Sequence, residues 1–282
     1  MPNTSNNTDV FAQTIAGGGS LSSNFALGYF GDGSDGDVTI STLVQLGKEM
    51  HYNNLTITST GTLKPFGYRI FVKGTLTIQA GGSINDDGNS ATGMTGGALL
   101  NSRNYLVAAA GQGANGRNTT GNGTIGNGSG GNSSLNNNNV APSGGAGGIV
   151  TGGAAGGGGS AAQPSPSQKW ASQAIYFGAR LTSGGFGGGA AGGSGGCNVG
   201  TGTAASGGGG GGGGVCWVAA YKVVNAGRIS ANGGNGGNAT ATGDGAAGGG
   251  GGGGGGCVAL ITTSPTYGNV TADGDRDWET TL

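Results

Sequence analysis

The chain has 282 residues, 74 of them glycine, with 8% charged residues and a formal net charge of −1. So little charge excludes an ordinary solvated disordered tail, which stays expanded through charge or proline. It also excludes nucleic-acid binding by counterion release, because the 11 Lys and Arg form no basic stripe. Glycine does not recur strictly at every third position and there are only 6 prolines, which excludes collagen.

Residues 1–30 are polar and glycine-punctuated, with apolar points at Val10, Phe11, Ile15, Leu21, Phe25, Leu27, Tyr29 and Phe30. They read as an attachment or capping segment. No Lys or Arg precedes Lys48 and no apolar core region is present, so no secretory signal is expected. No stretch approaches the ~18 apolar residues of a membrane span, so membrane insertion is not expected either.

Residues 31–90 read as a β-helical domain. Gly31-Asp32-Gly33-Ser34-Asp35-Gly36-Asp37 is a turn cluster leading into a strand at 38–40. Leu55-Thr56-Ile57 recurs 21 residues later as Leu76-Thr77-Ile78, and Gly61-Thr62-Leu63 recurs at the same offset as Gly82-Ser83-Ile84. Period-2 strands broken by glycine turns and repeating near 20 residues are what a parallel β-helix or solenoid coil requires.

Residues 91–282 read as a glycine-rich repeat domain with variable loops. Glycine runs at 207–214 and 248–256 each feed a short apolar strand with a cysteine, Val215-Cys216-Trp217-Val218 and Cys257-Val258-Ala259-Leu260. Gly227-Arg228-Ile229 and Gly268-Asn269-Val270 follow, and all these equivalences, Cys216/Cys257 included, are offset by 41. A flexible linker has no reason to feed a strand twice in this way. The expected arrangement is packed polyglycine-II helices, three residues per turn. Side-chain-free backbones then approach closely and bond N–H to carbonyl between neighbours. A run of nine spans roughly 28 Å in that form, and only several tracts together offset the ordering cost of glycine. Helix is expected almost nowhere; residues 170–181 fit a short helix or a strand. The fold class is therefore all-β, with parallel β-helix coils combined with polyglycine-II helices.

The three cysteines, Cys197, Cys216 and Cys257, form no CxxC pair and His51 is the only histidine, so no zinc site is expected. Cys216 and Cys257 either stack as small buried apolar residues or join a disulfide. Asp32, Asp35 and Asp37 carry oxygen ligands, but their spacing is not that of an EF-hand loop and turn chemistry accounts for them; the same holds for Asp86-Asp87-Gly88. His51 lies before the strand and has no acidic partner in the sequence, which points to a structural role. No catalytic constellation, cofactor motif or metal set is read, and the chain is not expected to be an enzyme. Binding is better supported. Prolines at 164 and 166 interrupt the glycine tracts, followed by Lys169, Trp170, Tyr176, Phe177, Arg180 and Phe186. Such aromatic and cationic side chains either form a receptor-binding or assembly loop or fill a small core. Residues 101–105 and 136–139 are further loop tips.

The run Phe30-Gly31-Asp32-Gly33-Ser34-Asp35-Gly36-Asp37-Val38-Thr39-Ile40, with Met50-His51-Tyr52-Asn53-Asn54-Leu55 and Gly67-Tyr68-Arg69-Ile70-Phe71-Val72-Lys73-Gly74, resembles a segment of glycine-rich tail and structural proteins of bacteriophages. The likeness covers residues 28–90 and 207–275. The polyglycine tracts are similar in kind to the tail-fibre tip adhesins of T-even-like phages. The resemblance implies a virion protein of the tail, a tail fibre or tip adhesin, held to other tail proteins through residues 1–30. It implies recognition of a host-surface glycan or outer-membrane protein, and homotrimeric assembly. A structural virion or fibril subunit without receptor binding is the alternative. A tailspike enzyme ranks last, since the strands at 55–58 and 76–79 carry no acidic residue.

Overall fold

The computed structural model describes residues 10–14, 29–98, 100, 107–108, 112–120, 124–126, 186–187, 197–199, 202–243, 245–264 and 267–273. After β1 (Val10–Thr14) come β2 (Gly36–Ile40), β3 (Leu43–Gln45), β4 (Met50–Ile57), β5 (Thr62–Lys64), β6 (Arg69–Ile78) and β7 (Ser83–Asn85). Short strands follow: β8 (Val107–Ala108), β9 (Asn118–Thr120), β10 (Thr124–Gly126), β11 (Phe186–Gly187), β12 (Cys197–Val199) and β13 (Gly202–Ala205). The chain then forms β14 (Val215–Asn225), β15 (Arg228–Ser230), β16 (Thr240–Gly243), β17 (Ala246–Ala247), β18 (Cys257–Thr262) and β19 (Asn269–Thr271). The described chain is thus all-β, and none of its helices is long and apolar enough to cross a membrane.

Two parallel sheets hold the longer strands, one in the order β1-β18-β14-β6-β4-β2 and the other β19-β15-β7-β5-β3. From β2 to β7, consecutive strands alternate between them. Like residues meet in register: Leu55, Leu76 and Val223 across the first sheet, and Val44, Leu63, Ile84, Ile229 and Val270 across the second. Period-2 alternation points these residues into one core between the sheets, where Leu55, Ile57, Leu63, Ile70, Leu76, Ile84 and Ile229 are fully buried. The 21-residue offset is therefore a strand register.

Between Tyr52 and Leu55 the register with β6 slips by one residue, because β6 carries one more residue around Gly74. Asn54 fills the gap, its Oδ1 accepting from Thr75 N at 2.9 Å while its own N–H and side-chain amide donate to Asp37 at 3.0 Å. A Cβ at Gly74 would collide with that Asn54 amide, which fixes glycine at this bulge.

The 41-residue offset holds in the second sheet but not in the first. Ile229 pairs with Val270, yet Cys216 lies beside Val258 and Val215 beside Cys257. The expected stacking of Cys216 on Cys257 does not occur. The register instead places Cys216, Val218, Val258 and Leu260 together in the core. Cys216 carries a thiol, and its Sγ donates to the Ser230 carbonyl at 3.1 Å.

Between β7, β14, β15 and β18 run extended tracts whose hydrogen bonds repeat every three residues. The N–H groups of Gly207, Gly210 and Gly213 donate to the carbonyls of Gly248, Gly251 and Gly254. Those of Gly208, Gly211 and Gly214 donate to Gly93, Asn89 and Asp86, and that of Gly209 to Ala114. Each of the three faces of the 207–214 run thus meets a different neighbour. Gly250, Gly253 and Gly256 likewise donate to Gly237, Gly234 and Ala231. A Cβ at Gly210 would meet the Gly234 carbonyl, and one at Gly253 the Gly211 carbonyl.

Glycine content follows the number of buried faces. The 207–214 run is buried throughout and is all glycine. The neighbouring Asn232-Gly233-Gly234-Asn235-Gly236-Gly237-Asn238 buries its glycines and turns its asparagines outward. In the 112–117 tract glycine recurs at every third position, as Gly113 and Gly116, and Gln112, Asn115 and Arg117 are exposed.

Candidate functional site

The tracts carry the chain away from the parallel sheets to a separate group of strands. There β16-β13-β9 and β10-β12-β17 form two small antiparallel sheets. Threonines mark the first: Thr203 pairs with both Thr120 and Thr242, and the Oγ1 atoms of Thr203 and Thr242 are 2.8 Å apart. Ala204 and Ala247 are buried beneath, while Thr240–Gly243 is exposed along its whole length.

Gly126, at the end of β10, pairs directly with Cys197, at the start of β12. The insertion 127–196 therefore leaves and re-enters at adjacent positions on this remote end. Lys169, Trp170, Tyr176, Phe177 and Arg180 belong to that insertion and lie outside the described residues, as does the 170–181 element. Phe186 is placed by its backbone in β11, parallel to β8 with Phe186 beside Val107; its side chain is outside the described residues.

A second cluster, not anticipated from the sequence, covers the outer face of the first sheet. Phe30, Phe71, Trp217, Ala219, Ala259 and Ile261 pack together there. Strand alternation turns Phe71 outward between the buried Ile70 and Val72, and the pairing of β6 with β14 sets Trp217 beside Arg69. Phe71 and Trp217 rings lie 5.0 Å apart, and the Arg69 guanidinium sits 5.4 Å from the first and 5.9 Å from the second. Arg69 also bonds Glu49 through Nε at 2.5 Å and Nη2 at 2.9 Å. The outward alternation Arg69-x-Phe71 was the available signal, but its partner Trp217 is remote in sequence.

His51 lies inside β4 and not ahead of it, and it does have acidic neighbours. Its ring stacks on Phe71 at 4.6 Å and its backbone N–H donates to Asp35 Oδ2 at 2.6 Å. Its Nδ1 is 3.8 Å from Asp32 Oδ1, beyond hydrogen-bond length, and has no partner. Gly31 makes this approach possible, since at φ +80° a Cβ there would lie 2.8 Å from His51 Nδ1.

The three turn aspartates spend their oxygens on the chain itself. Asp32 accepts from Ser34 N at 2.9 Å, Asp35 accepts from His51 N and from Lys48 Nζ, and Asp37 accepts from Asn53 and Asn54. These bonds hold all three carboxyls below their ordinary pKa: Ser34 N–H for Asp32, His51 N–H for Asp35, and the Asn53 amide for Asp37. Among the described residues no group of three or more His, Cys, Asp or Glu is placed to hold a metal ion.

No family model, curated protein or solved structure matches this chain.

Proposed function

We propose that the chain is a bacteriophage virion structural protein, a tail fibre or tail-tip adhesin that recognises the host surface. In this reading the two parallel sheets are coils of a β-helix, and the three-residue hydrogen-bond period marks polyglycine-II helices that space the recognition end from the coils. The observation that carries the proposal is the pairing of Gly126 with Cys197. It supports an insertion, 127–196, mounted on a side-chain-free backbone lattice and carrying Lys169, Trp170, Tyr176, Phe177 and Arg180 as host-contacting groups, with Phe186 at its base. Aromatic and cationic side chains of this kind stack on sugar faces and protein surfaces. The proposed ligand is a host glycan or outer-membrane protein, and the proposed assembly is a homotrimer attached to other tail proteins through residues 1–30.

The test replaces residues 127–196 by a short Gly-Ser connector between Gly126 and Cys197. Particles that incorporate the shortened chain but lose adsorption to host cells support recognition. Unchanged adsorption refutes it and favours the alternative, a structural virion subunit. That second reading draws on the strand edges of β2 and β3, where Leu43 is 59% exposed and no described strand pairs on the outer side.

A further inference from the structure

Asp86 is where the parallel sheets pass into the glycine tracts. It follows β7 directly; its N–H donates to the Ser230 carbonyl at 2.9 Å, and its own carbonyl accepts from Gly214 N at 2.7 Å. Its carboxyl Oδ2 accepts from Val215 N at 3.0 Å, so one residue ties the end of a glycine run to the first residue of β14. A Cβ at Gly214 would collide with this carboxyl. The residue is 4% exposed, and its Oδ1 has no hydrogen-bond partner.

The charged groups around it are few. Lys64, ending β5, and Asp87, the next residue, act on it electrostatically. Asp87 is itself engaged by Arg228 Nη2 of β15 at 3.1 Å and by Asn232 N at 2.8 Å. From the 214–215 segment it receives only backbone donors, and the Cys216 thiol donates to the same Ser230 carbonyl that accepts from Asp86 N. An ionised Asp86 therefore places a charge in a buried joint with a single side-chain hydrogen bond to hold it. Burial pushes its pKa up to about 6, against the opposing pull of Val215 N–H and Lys64.

We propose that Asp86 is a proton-operated clasp: uncharged, it locks the glycine tracts to the parallel sheets, and ionised, it loosens that joint. The direction follows from linkage. The folded chain keeps this proton up to about pH 6, whereas the unfolded chain releases it near 3.8. The joint therefore tightens as pH falls from 6 toward 4 and gains nothing further below that.

Amide hydrogen exchange on the full chain tests this at pH 5 and pH 7.5, after correction for the intrinsic pH dependence of exchange. Gly214 and Val215 should open more readily at pH 7.5, by about tenfold. Asp86→Asn keeps the acceptor for Val215 and removes the charge, so the difference should vanish. Equal opening of Val215 at both pH values, or a difference that survives in Asp86→Asn, would overturn the proposal. Should that variant fail to fold, the carboxyl carbon-13 titration of Asp86 in the unaltered chain decides: a midpoint near 6 supports the clasp, and one near 4 overturns it.

Discussion

Leu55 and Leu76 occupy the same register position on neighbouring strands, each fully buried in the core between the two parallel sheets. Leu76 also meets Val223 on its other side, so it is the middle member of a three-residue column. Truncation to alanine removes contacts to two strands at once. Leu76→Ala should cost about 2–5 kcal/mol in denaturant unfolding, more than Val223→Ala.

Alanine scanning of the glycines should separate lattice positions from turn positions. Gly210 faces the Gly234 carbonyl, and a methyl there must push two tracts apart and break their bonding. Gly210→Ala is expected to cost about 1–3 kcal/mol. Gly47 has nothing within 4 Å of its added Cβ, so Gly47→Ala should stay within about 0.5 kcal/mol of the parent. Equal midpoints for the two variants would disprove the lattice account.

These contrasts explain what the sequence made legible. The 21-residue repeat was readable because it is the register itself, and turn chemistry at Asp32, Asp35 and Asp37 followed from composition. Glycine runs of nearly equal length at matched repeat positions signalled ordered glycine. Their partners were hidden, since Asp86, Asn89 and Ala114 lie in tracts where only one or two faces are covered and other residues are tolerated. The 41-residue offset predicted Ile229 beside Val270 correctly but misplaced Cys216, because burial of Val258 and Leu260 decides the strand register. His51 was read as lacking an acidic partner because Asp32 and Asp35 come from the preceding turn, brought against it by the pairing of β2 with β4.

The turn aspartates make the acid limb of stability predictable in sign. Their folded pKa values are lowered from 3.8, so their contribution is present above that pH and is lost as pH falls through the folded values. This opposes the Asp86 effect, which acts between about 6 and 4. Thermal stability should therefore peak between roughly pH 4 and 6 and fall below it. Asp35→Asn weakens the bonds to His51 N and Lys48 and should flatten the acid limb. A limb as steep as the parent's would show that these hydrogen bonds are not its source.

Arg69 joins the aromatic face to its ion pair. Its guanidinium bonds Glu49 through two nitrogens while lying over Phe71 and Trp217, and both partners of the pair are mostly shielded from solvent. Bidentate geometry and shielding make this pair stronger than an open surface contact. A double-mutant cycle with Arg69→Met and Glu49→Gln should return a coupling of about 1 kcal/mol. Arg69→Lys keeps the charge but loses the planar fork and its stacking, so it should recover only part of the loss. Because the ring contacts do not depend on Glu49, Arg69→Met should remain more destabilising than Glu49→Gln. If the two single variants cost the same, the ion pair accounts for the whole effect and the rings add nothing.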